Sequence, residues 1–487
     1  MRPPSSMLSS LHFLARRHPL HALALAAAVL CAGCANYTGI QATQQPIDAT
    51  QLGLPGRATP AVAAQWWSAF GDAQLDALVT QALAQHPSLQ VAQARLDRAR
   101  AASSAAQSAS APQVGVGLDL TEQLFSAKSI YPPPLGGTVR DMGTLQANGA
   151  WEVDFFGKHR AALDSALGQV RAAQADAQAS ANLLASNVVR AYFQLARIDA
   201  QLALAERTLA QREQQRRLVH DRVQAGLDTA LELRQSEGAI PEARLQSEAL
   251  HEQRALTQNA LAALLAKPNT QVAPVKIDLF TIKTLATPDT LGVDLLARRA
   301  DVAAAKARVQ AALGEVDVAK AQFWPNINLA AFVGVSSIGF DRLLTTGAEQ
   351  WGVGPALRLP LFDGGRLRAN LRGKTAELDA AVASYNSAVI DAVRDAADPL
   401  SSLQALERQR AEQAQAQASA QAAYDIALQR YQAGLGTYLH VLAAESAVLA
   451  QRRAGVDLVA RTLDAQAQLM RALGGGFEDS TAPLALR

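Results

Sequence analysis

The sequence predicts a mainly α-helical protein carrying a membrane β-barrel, built from two copies of a helix–strand–strand–long helix–helix unit. Three observations predict it. Residues 157–225 and 366–433 are long runs of Ala, Gln, Arg, Leu and Asp with almost no helix breakers. Four short stretches alternate apolar with small or polar residues. The two halves of the chain also share landmarks in the same order, as an internal duplication does.

The bulk composition agrees. Of 487 residues, 49% are hydrophobic but only 5% aromatic, because alanine supplies much of the apolar count. That is the composition of long helices packed side by side. A formal net charge of +2 lacks the concentrated basic face of a nucleic-acid binder, so no nucleic-acid partner is expected.

Residues 1–33 read as an export signal. Arg2, Arg16 and Arg17 give a positive start, and 20–30 is an apolar run too short to span a bilayer permanently. It ends in Leu30-Cys31-Ala32-Gly33-Cys34, and small residues before a cysteine resemble the bacterial lipobox. Cys34 would then be acylated and become the mature N-terminus. The pattern departs at Cys31, where leucine is usual; ordinary cleavage at a small-residue site is the alternative. Loss of Cys31 with the signal leaves one lipidated cysteine and no internal disulfide. Residues 34–64, rich in Thr, Gln, Pro and Gly, predict an extended tether. No later run of about 18 apolar residues follows, so strands must make any membrane crossing.

The first repeat spans 65–267 and the second 291–474, with an equatorial segment at 268–290 and a tail at 475–487. Pro112-Gln113-Val114-Gly115-Val116-Gly117-Leu118 has its counterpart in Pro325-Asn326-Ile327-Asn328-Leu329-Ala330-Ala331. Arg222-Val223-Gln224-Ala225-Gly226-Leu227 matches Arg430-Tyr431-Gln432-Ala433-Gly434-Leu435, which sets Leu231 and Glu237 opposite Leu439 and Glu445.

Strands are expected at about 112–124, 143–156, 325–336 and 348–362. Each has one apolar face, as lipid-facing and lumen-facing residues of a barrel require, although a soluble amphipathic sheet alternates in the same way. Pro355 and Pro360 weaken the fourth, since proline donates no ladder hydrogen bond. Small barrels begin at about eight strands. One chain therefore cannot close a barrel, and an open edge facing lipid leaves backbone groups unpaired. Oligomerisation follows if these strands lie in a membrane.

The long helices, expected over 157–225 and 366–433 with a break at Pro399, would each reach roughly 100 Å. Return helices are expected over 231–267, 291–323, 439–473 and 72–109, the last interrupted at Pro87.

This organisation resembles the TolC-like outer-membrane factors, in particular the lipoprotein subgroup serving tripartite efflux pumps. Four motifs carry the resemblance by their order and spacing. They are Trp66-Trp67-Ser68-Ala69-Phe70 with Leu75 and Leu78; Asp301-Val302 leading to Phe323-Trp324-Pro325; Leu361-Phe362-Asp363-Gly364-Gly365-Arg366; and Arg430-Tyr431-Gln432-Ala433-Gly434. The resemblance implies a homotrimer in outer-membrane lipid, with a shared twelve-stranded barrel continuing into an α-helical periplasmic tunnel. It implies a periplasmic adaptor and an inner-membrane pump, commonly of the proton-driven resistance-nodulation-division class, as partners. Solutes would pass passively, with no cofactor.

The tunnel tips would fall at Gly226 and Gly434, where a tight helix end favours a left-handed residue. Similar channels narrow at the second tip with a leucine ring and aspartate rings. Leu439 matches the leucine. The aspartate positions fall on His440 and Ala443, so the acidic rings are not reproduced, and Asp228 is the nearest carboxylate. A gate would use Leu439 with contacts of Tyr431 and Asp228; alternatively Tyr431 packs between helices. His440 is expected to be exposed or helix-packed rather than a pH switch, although its ordinary pKa permits one.

Catalysis is not expected. His86, His159, His220, His251 and His440 are scattered, and no HExxH, GxSxG or phosphate loop occurs. A coiled-coil lipoprotein bracing the envelope would have no need of amphipathic strands. A channel for type I protein secretion or heavy-metal efflux is the alternative client reading, and no Met-rich or His-rich tract favours metals.

Overall fold

The computed structural model describes residues 37–47, 62–269, 277–288, 292 and 298–477. The signal, Cys34, much of the tether, parts of 268–290 and residues 478–487 of the tail lie outside them.

Seven helices and four strands make up the described secondary structure, besides two short 3-10 turns. Helices α1 (Ala73–Gln85) and α2 (Pro87–Ser108) precede β1 (Gln113–Leu124) and β2 (Val139–Glu152). Then come α3 (Lys158–Gln224), α4 (Ala230–Leu264), α5 (Ala300–Ala321), β3 (Asn326–Ile338), β4 (Glu349–Arg358), α6 (Arg366–Gln432) and α7 (Tyr438–Ala472). The duplication shows in the lengths. Helices α3 and α6 have 67 residues each, α4 and α7 have 35 each, and α2 and α5 have 22 each. At about 1.5 Å per residue the longest reach roughly 100 Å.

Local chemistry sets the ends. The Asp72 carboxylate accepts hydrogen bonds from the Gln74 and Leu75 amides and starts α1. His86 is extended and Pro87 opens α2 at the position where its missing N–H costs nothing. Pro399, expected to break the second long helix, does not: α6 runs straight through it. Ala396, Leu403 and Leu406 on either side are buried in one cluster with α7, and this packing outweighs the lost backbone bond.

The chain forms two compact units. The first contains Met1–Gln45, Asp97–Arg171 and Ala307–Ala383. Its centre is a four-stranded antiparallel sheet of order β1-β2-β3-β4. Pairing Leu118 with Leu145, Leu145 with Val335, and Val333 with Trp351 puts the apolar alternation of all four strands on one face. That face is exposed: Val114, Val116, Leu118, Val333, Trp351, Val353 and Leu357 stand largely uncovered by the described residues. The opposite face carries Gln113, Thr144, Gln146, Asn148, Asn328, Ser336 and Gln350.

Two strands differ from expectation. β2 begins four residues before the expected 143 and stops at Glu152 rather than 156. Residues beyond Glu152 serve the next helix: Asp154 Oδ2 accepts the Arg160 amide at 2.9 Å, and Lys158 Nζ reaches Glu152 Oε1 at 2.8 Å. β4 stops at Arg358 rather than 362, because Asp363 turns to cap α6 through the Gly365 and Leu367 amides at 3.0 and 2.8 Å. Pro355 does lie within β4, and within the chain's own sheet it is tolerated because β4 is the edge strand there.

The expected tether is not slack where it is described. The Thr43 and Gln44 amides both donate to Asp379 Oδ1 at 2.8 Å, and the Tyr37 ring meets Phe323 edge-on at 5.6 Å. Unit two contains Pro46–Leu96, Ala172–Lys306 and Ser384–Arg487. Its largest core gathers Trp66, Trp67, Phe70 and Leu75 against Val188, Tyr192 and Phe193 of α3, with Phe70 edge-on to Phe193 at 4.9 Å. The tryptophan-rich motif read in the sequence is thus structural.

Candidate functional site at the helical reversals

Both reversals expected from the sequence are present, and they are built identically. Gly226 and Gly434 each have φ +74°, a conformation that strains any residue with a Cβ. Leu227 N donates to Arg222 O at 2.8 Å and Gly226 N to Val223 O at 3.0 Å; Leu435 and Gly434 repeat these bonds to Arg430 and Tyr431 at the same distances. These paired bonds are the Schellman ending of a helix.

The helix starts that follow are not identical. Thr229 and Glu232 form a full capping box at α4, with the Thr229 amide donating to Glu232 Oε2 at 3.0 Å. The Thr229 hydroxyl holds the Glu232 carboxyl below its usual pKa. At α7 the equivalent of Glu232 is His440, and Thr437 makes no side-chain cap; its hydroxyl instead meets His440 Nδ1 at 3.2 Å. His440→Glu is therefore expected to complete the box. Amide exchange at 438–441 should slow about two- to five-fold, equivalent to about 0.5–1 kcal/mol. Because such a carboxylate has a depressed folded-state pKa, the gain is present above its ordinary value and is lost as pH falls. Equal exchange rates in the two proteins at neutral pH would refute it.

Within one chain the two reversals are tied together. The Tyr431 hydroxyl donates to Asp228 Oδ2, and Arg222 Nε donates to the same oxygen at 3.0 Å. The Arg222 guanidinium also lies 4.6 Å from the centre of the Tyr431 ring, and its Nη1 reaches Gln432 O at 3.4 Å. The ring itself is 1% exposed and packs against Tyr438 at 5.7 Å. Tyr431 therefore combines the two roles considered for it, packing between helices and bonding Asp228. Burial, then the bond to Asp228, pushes the Tyr431 phenol well above its ordinary pKa, while the bond to Asp228 raises that of Arg222. Burial brings the Tyr438 phenol to about 12.

Leu439 is 57% exposed and Leu231 63%, so both leucines are largely uncovered by the described residues. His440 is exposed and takes no part in the Asp228–Tyr431 contact. Arg222 was missed by sequence reasoning. The repeat pairs it with Arg430, whose guanidinium serves only its own turn through Leu435 O at 3.4 Å, so no residue pattern distinguishes the two. Among the described residues no cluster of His, Cys, Asp or Glu could hold a metal, and no helix is long and apolar enough to cross a membrane.

A two-faced sheet joined to duplicated 67-residue helices defines an outer-membrane efflux channel, and comparison with known proteins agrees. The chain belongs to the Outer membrane efflux protein family, which it matches over residues 78–267 and 291–475, once in each half. It is accordingly a TolC-like protein of the outer membrane and not an enzyme. Among its relatives, the multidrug resistance outer membrane protein MdtQ of Escherichia coli O6:H1 is 35% identical over 429 residues, covering 85% of this chain and 88% of MdtQ. The multidrug resistance outer membrane protein MdtP of Escherichia coli K12 is 31% identical over 467 residues, covering 93% and 96%. The crystal structure of the outer membrane protein VceC from Vibrio cholerae shares 35% identity and a TM-score of 0.81, covering 86% of this chain and all of VceC.

Proposed function

We propose that three copies of this chain close a twelve-stranded barrel in the outer membrane and conduct drugs or other small solutes outward without consuming energy. The observation that carries this is the sheet: one exposed face apolar over its middle, with charges only toward one end at Glu122, Asp141 and Glu349, one largely polar face, and two edges, β1 and β4, unpaired within the chain. Backbone groups at an edge cannot be left unpaired in hydrocarbon, and another copy supplies the missing partners. The multidrug resistance names of its relatives support drugs as cargo. A periplasmic adaptor and an inner-membrane pump would feed the channel, and the Asp228–Tyr431 tie with Leu439 would close its inner end. Protein solubilised in detergent is expected to scatter light as a trimer; a stable folded monomer would count heavily against the shared barrel.

Lipidation of Cys34 would anchor the N-terminus in the same membrane. Cys34→Ser is expected to abolish palmitate labelling, with the sheet still able to insert. Equal labelling of the two proteins would remove the anchor.

A further inference from the structure

The polar face of the sheet carries one feature that neither the alternation nor the gate explains. Along β3 the residues on that face are small or polar from Asn326 to Ser336, except for Phe332. Among the strand residues on the polar face it is the one aromatic side chain. Its neighbours across the ladder are Asn148 on β2 and Gly352 on β4. The ring lies over Gly352 so closely that a Cβ there would come within 2.6 Å of Phe332 Cε1.

Polar side chains frame the ring. Gln350 Nε2 donates to Gln146 Oε1 at 2.9 Å, and Gln146 Nε2 donates in turn to Asn148 Oδ1. The first of these bonds crosses β3 at Gly334, which is paired with both glutamines and has no side chain to obstruct them. The amides thus satisfy one another sideways, while 39% of Phe332 stays exposed. An uncharged patch that combines a fixed aromatic face with amide edges suits a flat ring: the face offers stacking, and the amide edges offer hydrogen bonds. The same face attracts a delocalised cation.

We propose that Phe332, framed by Gln350, Gln146 and Asn148, is a stacking station on the inner wall of the channel for planar aromatic solutes, neutral or cationic. The proposal rests on the barrel reading, in which the polar face lines the lumen. Three-fold symmetry then places three such stations at one height.

The test is single-channel recording on the full-length protein in planar bilayers, with blockers added from the barrel side. Proflavine is the planar aromatic cation and tetraethylammonium the non-aromatic cation of equal charge. Phe332→Leu keeps an apolar side chain and removes the π-face. It is expected to shorten proflavine blockades about five-fold and to leave those of tetraethylammonium unchanged. Phe332→Trp is expected to lengthen proflavine blockades, and it decides the matter if the leucine variant does not assemble. Proflavine blockades that are unaltered by either variant, or shortened equally for both cations, overturn the station alone. The same recordings are made on Leu439→Ala, whose inner end is widened; absence of any conductance in both proteins overturns the channel reading and the station with it.

Discussion

Leu439→Ala is expected to raise single-channel conductance in planar bilayers and to sensitise cells to large antibiotics such as vancomycin. Leu439 is the second residue of α7, immediately after the Gly434 reversal, and its side chain is uncovered within the chain. A large apolar group left bare at a helix tip needs another partner. Three copies meeting at an axis would provide it, and a ring of leucines excludes water and ions without any charge. Truncation widens that ring and touches no contact of the sheet. Leu231→Ala alters an equally bare leucine at the other reversal, yet should do less, since the resemblance to TolC-like channels implies the narrowest ring in the second repeat. Ala443→Asp should make the entrance more cation-selective by restoring a carboxylate that similar channels carry. Unchanged conductance in a normally assembled Leu439→Ala protein would take this residue out of the gate.

The second large effect is expected at Asp228. Its carboxylate holds both Arg222 and Tyr431, so Asp228→Ala leaves a half-buried guanidinium with the Gln432 carbonyl and the Tyr431 ring face. Losing charge-assisted hydrogen bonds of this kind costs about 2–3 kcal/mol. Tyr431→Phe removes a single hydrogen bond while Asp228 keeps Arg222, at about 1–2 kcal/mol. Both variants should open the inner end, Asp228→Ala more than Tyr431→Phe. A double-mutant cycle read by conductance should show that the two changes fall short of additivity. Full additivity would mean that the tie does not hold the closed form. Alkali should act in the same direction: the phenol's raised pKa gives stability that is fully present below about pH 10, its ordinary value, and is lost as pH rises through the folded-state value.

Much of this architecture is written locally. The long helices follow from unbroken alanine-rich sequence, and the reversals from glycines at equivalent places in each half. The faces of the strands follow from simple alternation. The start of β2 was harder to read because Arg140 and Asp141 lie on opposite faces, which hides the two-residue period over Val139–Met142. Pro399 misled for the opposite reason: local chemistry says stop, while packing around Ala396 and Leu403 says continue. The Arg222–Asp228–Tyr431 tie joins residues more than two hundred positions apart, and only folding brings them together. Phe332 was invisible because its position in the alternation assigned it to a face where aromatic residues are not expected.

The strict alternation of β1 and β4 also bears on how the oligomer proofreads its own assembly. If the β4 edge of one copy meets the β1 edge of the next, a slip of one residue would turn every apolar side chain of the incoming strand into the aqueous interior. Only even slips survive that penalty, and each even slip of two residues displaces the strand by about 7 Å along its neighbour. Such steps would add up around the ring, and its closure would fail at the last seam. The pattern that keeps each sheet two-faced therefore also rejects misaligned subunits, and would discriminate against related chains whose edge strands differ in length by a single residue.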